Sequence, residues 1–440
     1  MTALAETIRG RLREILPAEL RGRIVRTSGL TAAVADFPAP VGALVSIERH
    51  AGPPLAGEVI GFVDDLTLVF LLDGAAGLRR GDRVSLTSTR RWVRAGRDLL
   101  GRVINSRGVC VDGRPQPALH DRVPLERPAP EATSRPRITE ALSTGICAID
   151  GLLTCGKGQR LGIFAGSGVG KSVTLGMMAR NSSADVNVVA LVGERGREVN
   201  EFIERDLGAG LAKSVVVVAT SDEPALARVQ AALVATSLAE YFRDQGQDVL
   251  LLMDSLTRLA LAQREIGLAA GEPPTTRGFP PSTFSLLPRL LERAGRTAQG
   301  SITGIYSVLV EGDDPQEPIA DTTRGLLDGH VWLSRKLASA GHFPAIDVLE
   351  SVSRSMHDVV DDEHRRAATT VRRLLAAYRD HEDLIAVGAY RSGANREVDQ
   401  AIALRDELLR LLRQDVGQSW TVSAARRAFI ELAACVQETS

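Results

Sequence analysis

Residues 161–172 read LGIFAGSGVGKS, an apolar run followed by a glycine-rich loop, and residues 173–181 behind them can form a helix. Strand, loop and helix in that order make a polyphosphate cradle. Glycines at 166, 168 and 170 let backbone N–H groups turn inward along Ala165, Gly166, Ser167, Gly168, Val169 and Gly170, and the helix start continues the cradle through Lys171, Ser172 and Val173. Lys171 offers a point charge to the β and γ phosphates, and Ser172 a hydroxyl to Mg²⁺. The strict pattern has glycine where Ala165 stands, so the match is to the relaxed form in which a small residue suffices. A mere glycine turn leaves Lys171 and Ser172 unexplained. The expectation is a nucleoside triphosphate site.

The remaining composition bounds what surrounds that site. At 440 residues the chain exceeds one ordinary core, and units of about 100 to 200 residues imply two or three domains. With 53 basic and 54 acidic residues the net charge is −1, so no global field draws the chain to nucleic acid or an anionic membrane. Cysteines at 110, 147, 155 and 435 lack zinc-site or CxxC spacing, which points to reduced, cytosolic thiols. There is no apolar run of about eighteen residues. Glu6, Arg9, Arg11, Arg13 and Glu14 stand where a signal peptide needs an apolar stretch. A soluble, cytoplasmic protein is expected.

Along the chain, residues 1–20 carry Leu4, Ile8, Leu12 and Ile15 at helical spacing, an amphipathic helix whose stripe docks on the next domain or on a separate protein. Residues 21–95 hold short β-branched runs at 43–47, 58–63, 66–72 and 83–86 broken by Gly, Pro and Asp, the texture of a small β-barrel. Residues 96–140 form a connecting segment, and prolines at 115, 117, 124, 128, 130 and 136 make it a linker or surface strap. Within 141–360, strand-like runs at 161–164, 186–192, 215–219, 249–253, 303–309 and 330–333 alternate with helical segments, which predicts an α/β domain with a parallel sheet covered on both faces. Residues 361–440 lose the strands and place Leu374, Leu375, Tyr378, Val398, Ile402, Leu408, Leu409 and Leu412 at helical spacing. That is a small helical domain.

Two carboxylates extend the chemistry. Asp254 ends the buried run 249–253, where it meets the Mg²⁺ site beside the phosphate loop or, alternatively, caps a helix that starts at Ser255. Glu194 follows the run 189–192 and can polarise an attacking water as general base, or belong to a solvated charged loop with Arg195, Arg197 and Glu198.

These motifs, with VALVGERGREV, LLLMDSLTRLALAQREIGLAAGEPPTTRGFPPSTF, LVEGDDPQEPIADTTRGLLDGHVWLSRKLA and GHFPAIDVLESVSRSM, resemble the ATPases of bacterial type III protein export, flagellar or injectisome, a family related to the catalytic subunit of the rotary ATP synthases. The resemblance runs from about residue 22 to 434 and is densest at 144–358. It implies a RecA-like P-loop domain between an N-terminal barrel and C-terminal helices, and a homo-hexameric ring with nucleotide sites between subunits. It also implies roles. Lys171 and Ser172 match the phosphate and magnesium residues, Glu194 the catalytic carboxylate, Arg195 a second phosphate-side group, Asp254 the carboxylate of the metal site, and Arg354 an arginine finger given by the neighbouring subunit. Phe343 falls where the rotary enzymes place an aromatic against adenine, or else packs in a core or loop.

The implied activity is Mg²⁺-dependent hydrolysis of ATP coupled to releasing or unfolding export substrates held by chaperones at a membrane export gate. A regulatory or stator protein would hold the N-terminal helix, and membrane association would come only through partners. Where the rotary subunit has a long acidic loop, residues 387–394 read VGAYRSGA, which favours export over synthesis. Residues 214–227 and 272–281 look closer to flagellar than to injectisome members. A hexameric nucleic-acid translocase also joins such a barrel to such a domain, but it needs exposed aromatics over a basic groove, and the barrel region has only Phe37, Phe62, Phe70 and Trp92. A non-catalytic scaffold would have no need of Lys171, Glu194, Asp254 and Arg354 together.

Overall fold

A computed structural model describes residues 19–438 apart from 73, 311, 313 and 315; the helix expected over the first eighteen residues lies outside that range. Six strands, β1 (Arg21–Ser28), β2 (Thr31–Ala35), β3 (Leu44–Ile47), β4 (Leu55–Val63), β5 (Leu66–Leu71) and β6 (Arg83–Ser88), close into a barrel in the order β1-β2-β5-β4-β3-β6. Alternation sends Ile24, Val34, Val45, Val59, Val69 and Val84 inward to fill it. Phe37 and Phe70 are buried, and Trp92 lies under the Arg122 guanidinium at 4.1 Å, so the barrel offers no row of open aromatic faces to stacked bases.

The proline-rich connection holds more regular structure than its composition suggests. Asp121–Pro124 pairs antiparallel with Trp92–Ala95, and Pro124, which has no N–H to donate, is the last residue of that short strand. Upstream of it, β7 (Arg102–Asn105) adds an edge strand to the central sheet.

That sheet is built from runs buried on both faces. It contains β7, β8 (Arg160–Ala165), β9 (Val186–Glu194), β10 (Ser214–Thr220), β11 (Asp248–Asp254), β12 (Ser301–Leu309), β13 (Gly329–Leu333) and β14 (Ile346–Ser353), in the spatial order β14-β13-β8-β12-β11-β9-β10-β7. All pair in parallel except β14, which runs antiparallel to β13. Every residue of β9 is buried, as continuous apolar strands between two helical layers must be. The covering helices include α1 (Lys171–Asn181), α2 (Ala225–Asp244) and α3 (Leu256–Ala269).

The C-terminal region is helical: α4 (Asp362–Ala386), α5 (Arg396–Ala403), α6 (Arg405–Leu412) and α7 (Val422–Glu438). Its apolar stripes join the core under β8, with Val371, Leu374, Leu408 and Phe429 packed in one cluster with Ile149 and Leu152. Phe429 lies so close to Gly151 that a Cβ there would fall 2.2 Å from the ring, and His364 Nε2 is 2.7 Å from the same residue's carbonyl. Among the described residues no helix is long and apolar enough to cross a membrane.

Candidate active site

The loop between β8 and α1 turns on two glycines with left-handed backbones, Gly168 at φ 78° and Gly170 at φ 91°. A Cβ at Gly168 would touch nothing, so glycine is required there by conformation, not by crowding. Gly170 is the residue that opens α1, and no side chain caps that end. The N–H groups of the first turn therefore remain available to an anion.

Lys171, first residue of α1, directs its ammonium at the ends of two neighbouring strands. Nζ is bonded to Asp254 Oδ1 and stands 3.7 Å from Glu194 Oε1. Both carboxylates are buried, Glu194 at 7% and Asp254 at 4% exposure. Their convergence follows from register: β9 and β11 are adjacent, with Leu191 opposite Asp254. Between Val192 and Glu194 the pairing of β9 with β10 slips at Gly193, φ 71°, a bulge that re-aims the following side chain. Capping of α3 falls to Ser255, whose hydroxyl accepts from Arg258 N–H at 3.3 Å, so Asp254 is free for the ammonium. Ser307 Oγ from β12 donates to Asp254 Oδ1 at 2.6 Å.

Glu194 also accepts from Arg258 Nε at 3.0 Å. Burial, and then the nearby Asp254 charge, push its carboxyl up to about 7, while Lys171 and Arg258 pull the other way. A carboxyl raised toward neutrality is suited to exchange a proton with water.

The donor set fits a nucleotide with a small hard cation. Ser172 is exposed at the start of α1, Asp254 is bonded to the Lys171 ammonium, and no group of three or more His, Cys, Asp or Glu side chains that could hold a metal ion exists among the described residues. Magnesium here would depend on phosphate oxygens and water for most of its coordination, as it does in phosphoryl-transfer sites.

The other expected residues divide by position. Phe343 lies beside the loop, its ring 3.6 Å from where a Gly170 Cβ would be, and is 47% exposed. Arg195 opens the short helix after β9 with its exposed guanidinium on Glu198 at 3.1 Å. Arg354 is at the opposite end of the strands. Because β14 is antiparallel, its last residue Ser353 faces Gly329 at the start of β13, and Arg354 N–H bonds Asp328 O at 2.9 Å. The length of β8, on the order of 17 Å, separates that end from the phosphate loop. Arg354 is exposed there.

Two residues of the cluster escape a reading of the sequence. Arg258 stands one turn into a helix that starts at Asp254's strand, so it faces back across the strand ends; that spacing is the signal that could have marked it. Ser307 has none, since a serine within an apolar strand carries no mark of its partner.

Residues 145–353 match the model of the ATP synthase alpha/beta family, nucleotide-binding domain, and residues 360–431 that of the T3SS EscN ATPase C-terminal domain. The chain is 50% identical over 394 residues to the flagellum-specific ATP synthase of Bacillus subtilis (strain 168), covering 89% of each. It is 48% identical over 417 residues to the type 3 secretion system ATPase of Xanthomonas euvesicatoria, covering 94% of each. The assembled ATPase EscN from the enteropathogenic E. coli type III secretion system superposes with a TM-score of 0.89 at 44% identity, over 94% of this chain and 100% of that one. Barrel, nucleotide domain, helical domain and full-length similarity agree: the chain is an ATPase and belongs to the type III protein export family that holds the flagellum-specific ATP synthases and the type 3 secretion system ATPases.

Proposed function

We propose that this chain hydrolyses ATP with Mg²⁺ at sites shared between the subunits of a homo-hexameric ring and serves flagellar protein export, releasing or unfolding substrates from their chaperones. The single observation that carries the shared site is the opposition of strand ends: Lys171, Glu194 and Asp254 meet where the parallel strands finish and Arg354 stands where they begin. Such an arginine cannot reach its own phosphate loop, whereas a neighbouring copy can present it.

In the proposed cycle the loop's N–H groups and Lys171 hold the polyphosphate, and Lys171 exchanges Asp254 for phosphate oxygens. Ser172 and Asp254 would hold magnesium, which would supply charge neutralisation at the terminal phosphates. Glu194, held by Arg258, orients a water and takes its proton, while a neighbour's Arg354 meets the charge that spreads over the transferred group. Arg195 is a further phosphate-side candidate, and it must leave Glu198 to act. EscN is described in complex with its central stalk EscO, which supports a stalk-like partner for a ring of this chain. The flagellar assignment is supported by relatives such as the flagellum-specific ATP synthase of Pseudomonas aeruginosa, 47% identical over 442 residues. Work would take place in the cytoplasm, at the inner face of the membrane, through partners that hold the ring there.

Arg354→Ala should bind ATP but lose turnover by about a thousandfold or more. Mixed with Glu194→Gln chains it should recover part of the rate, because one interface then joins an intact Glu194 to an intact Arg354. No recovery in rings shown to be mixed would sink the shared site.

A further inference from the structure

The turn after α6 is tied to the nucleotide domain through one side chain. Gln414 is 5% exposed, and its amide is used at both ends: Oε1 accepts from Cys147 N–H at 2.9 Å, while Nε2 donates to Gly145 O at 2.8 Å and to Gln418 O at 2.9 Å. Its backbone N–H donates to Phe343 O at 2.9 Å. One residue of the helical domain thus holds the residue beside the phosphate loop from behind.

The anchor on the other side is rigid. Gly145 has φ 84°, and a Cβ there would fall 2.3 Å from Asn181 Cβ at the end of α1. Trp420 N–H also bonds Gly145 O at 3.2 Å, Val422 N–H bonds Ser143 Oγ at 3.1 Å, and Arg180 Nη2 bonds Val416 O at 2.9 Å. Gln414 therefore bears on both ends of the phosphate-loop helix, through Gly145 next to Asn181 and through Phe343 next to Gly170.

We propose that Gln414 is a positioning residue for the base of the nucleotide: by fixing the Phe343 carbonyl against Gly145 and Cys147 it sets where the exposed Phe343 ring stands over Gly170. This rests on the reading of Phe343 as the aromatic facing the base. Phosphates would be held by α1 and its loop, and the base end through Gln414 of the helical domain, so the helical domain gains a hand on affinity without touching the reacting atoms.

The test compares full-length chains in binding ATP and inorganic tripolyphosphate, which has the phosphates and no base. Gln414→Met keeps the side chain's volume and drops its three hydrogen bonds. It should weaken ATP binding about fivefold to tenfold and leave tripolyphosphate unchanged. Equal weakening of both ligands would assign Gln414 a general structural role, and no change in either would remove it from the site; each result overturns the proposal. Phe343→Ala is the companion variant. Selective loss of ATP in Phe343→Ala with none in Gln414→Met would overturn the positioning role alone. A Phe343→Ala chain that keeps the native preference for ATP over tripolyphosphate would overturn the base-side reading itself, and Gln414's role with it.

Discussion

Lys171, Glu194 and Asp254 form a buried trio in which one cation is placed between two acids. The sign of Glu194's shift follows from that setting. Its carboxyl is raised from 4.5 to about 7, chiefly by burial, so folding makes it hold its proton more tightly. Stability from this group is whole below its unfolded value and is lost as pH rises through the folded one. Glu194→Gln, a neutral near-isostere, should therefore raise the thermal midpoint of the protein without added nucleotide at about pH 8, and raise it less at about pH 5. Equal gains at both values would contradict the shift. The same variant should lose turnover by about 10²- to 10⁴-fold, measured as phosphate release. Residue identity carried much of this in the sequence: a lysine after a glycine loop and an acid at the end of an apolar run are chemically conspicuous. Arg258 was not, because an arginine in a charged helix resembles any solvated one until the strand ends are placed side by side.

At the level of elements, the bulge in β9 decides whether Glu194 reaches the ammonium. Gly193 has φ 71°, and a Cβ there would lie 3.1 Å from Arg258 Cβ and Cδ. Gly193→Ala should displace Arg258 and lower ATP turnover at least about tenfold, with about 1 kcal/mol lost in stability by denaturant titration. Undiminished turnover would show that Glu194 does not need Arg258 in place. Elements differed in how legible they were. The six central strands expected from apolar runs are present because burial on both faces leaves a continuous signature. By contrast β1 gave none: its inward position 22 is a glycine, since Val34 Cγ1 and Ala35 O come within 2.8 Å of where a Cβ would be. β14 was hidden likewise, as an edge strand with alternating burial and polar residues.

For the whole molecule, three domains were visible as changes of texture, but how they are stitched was not. Long-range hydrogen bonds such as Gln414 to Gly145 span far-apart stretches of chain and leave no local pattern. Arg293 offers another case, buried between Glu240 and the carbonyl of Leu125 at 2.8 Å, which pins the strap after Pro124 to the nucleotide domain. If the ring is the working form, turnover per chain should climb with chain concentration and level off where light scattering reports assembly. A flat profile through the monomer range would mean that each chain is complete by itself.

The antiparallel course of β14 gives the proposed ring a further property. Phe343 precedes the strand at one end and Arg354 follows it at the other. In that ring the strand would join the base of one nucleotide to the terminal phosphate of the next, so a shift of β14 at one pocket would be felt at the adjoining one.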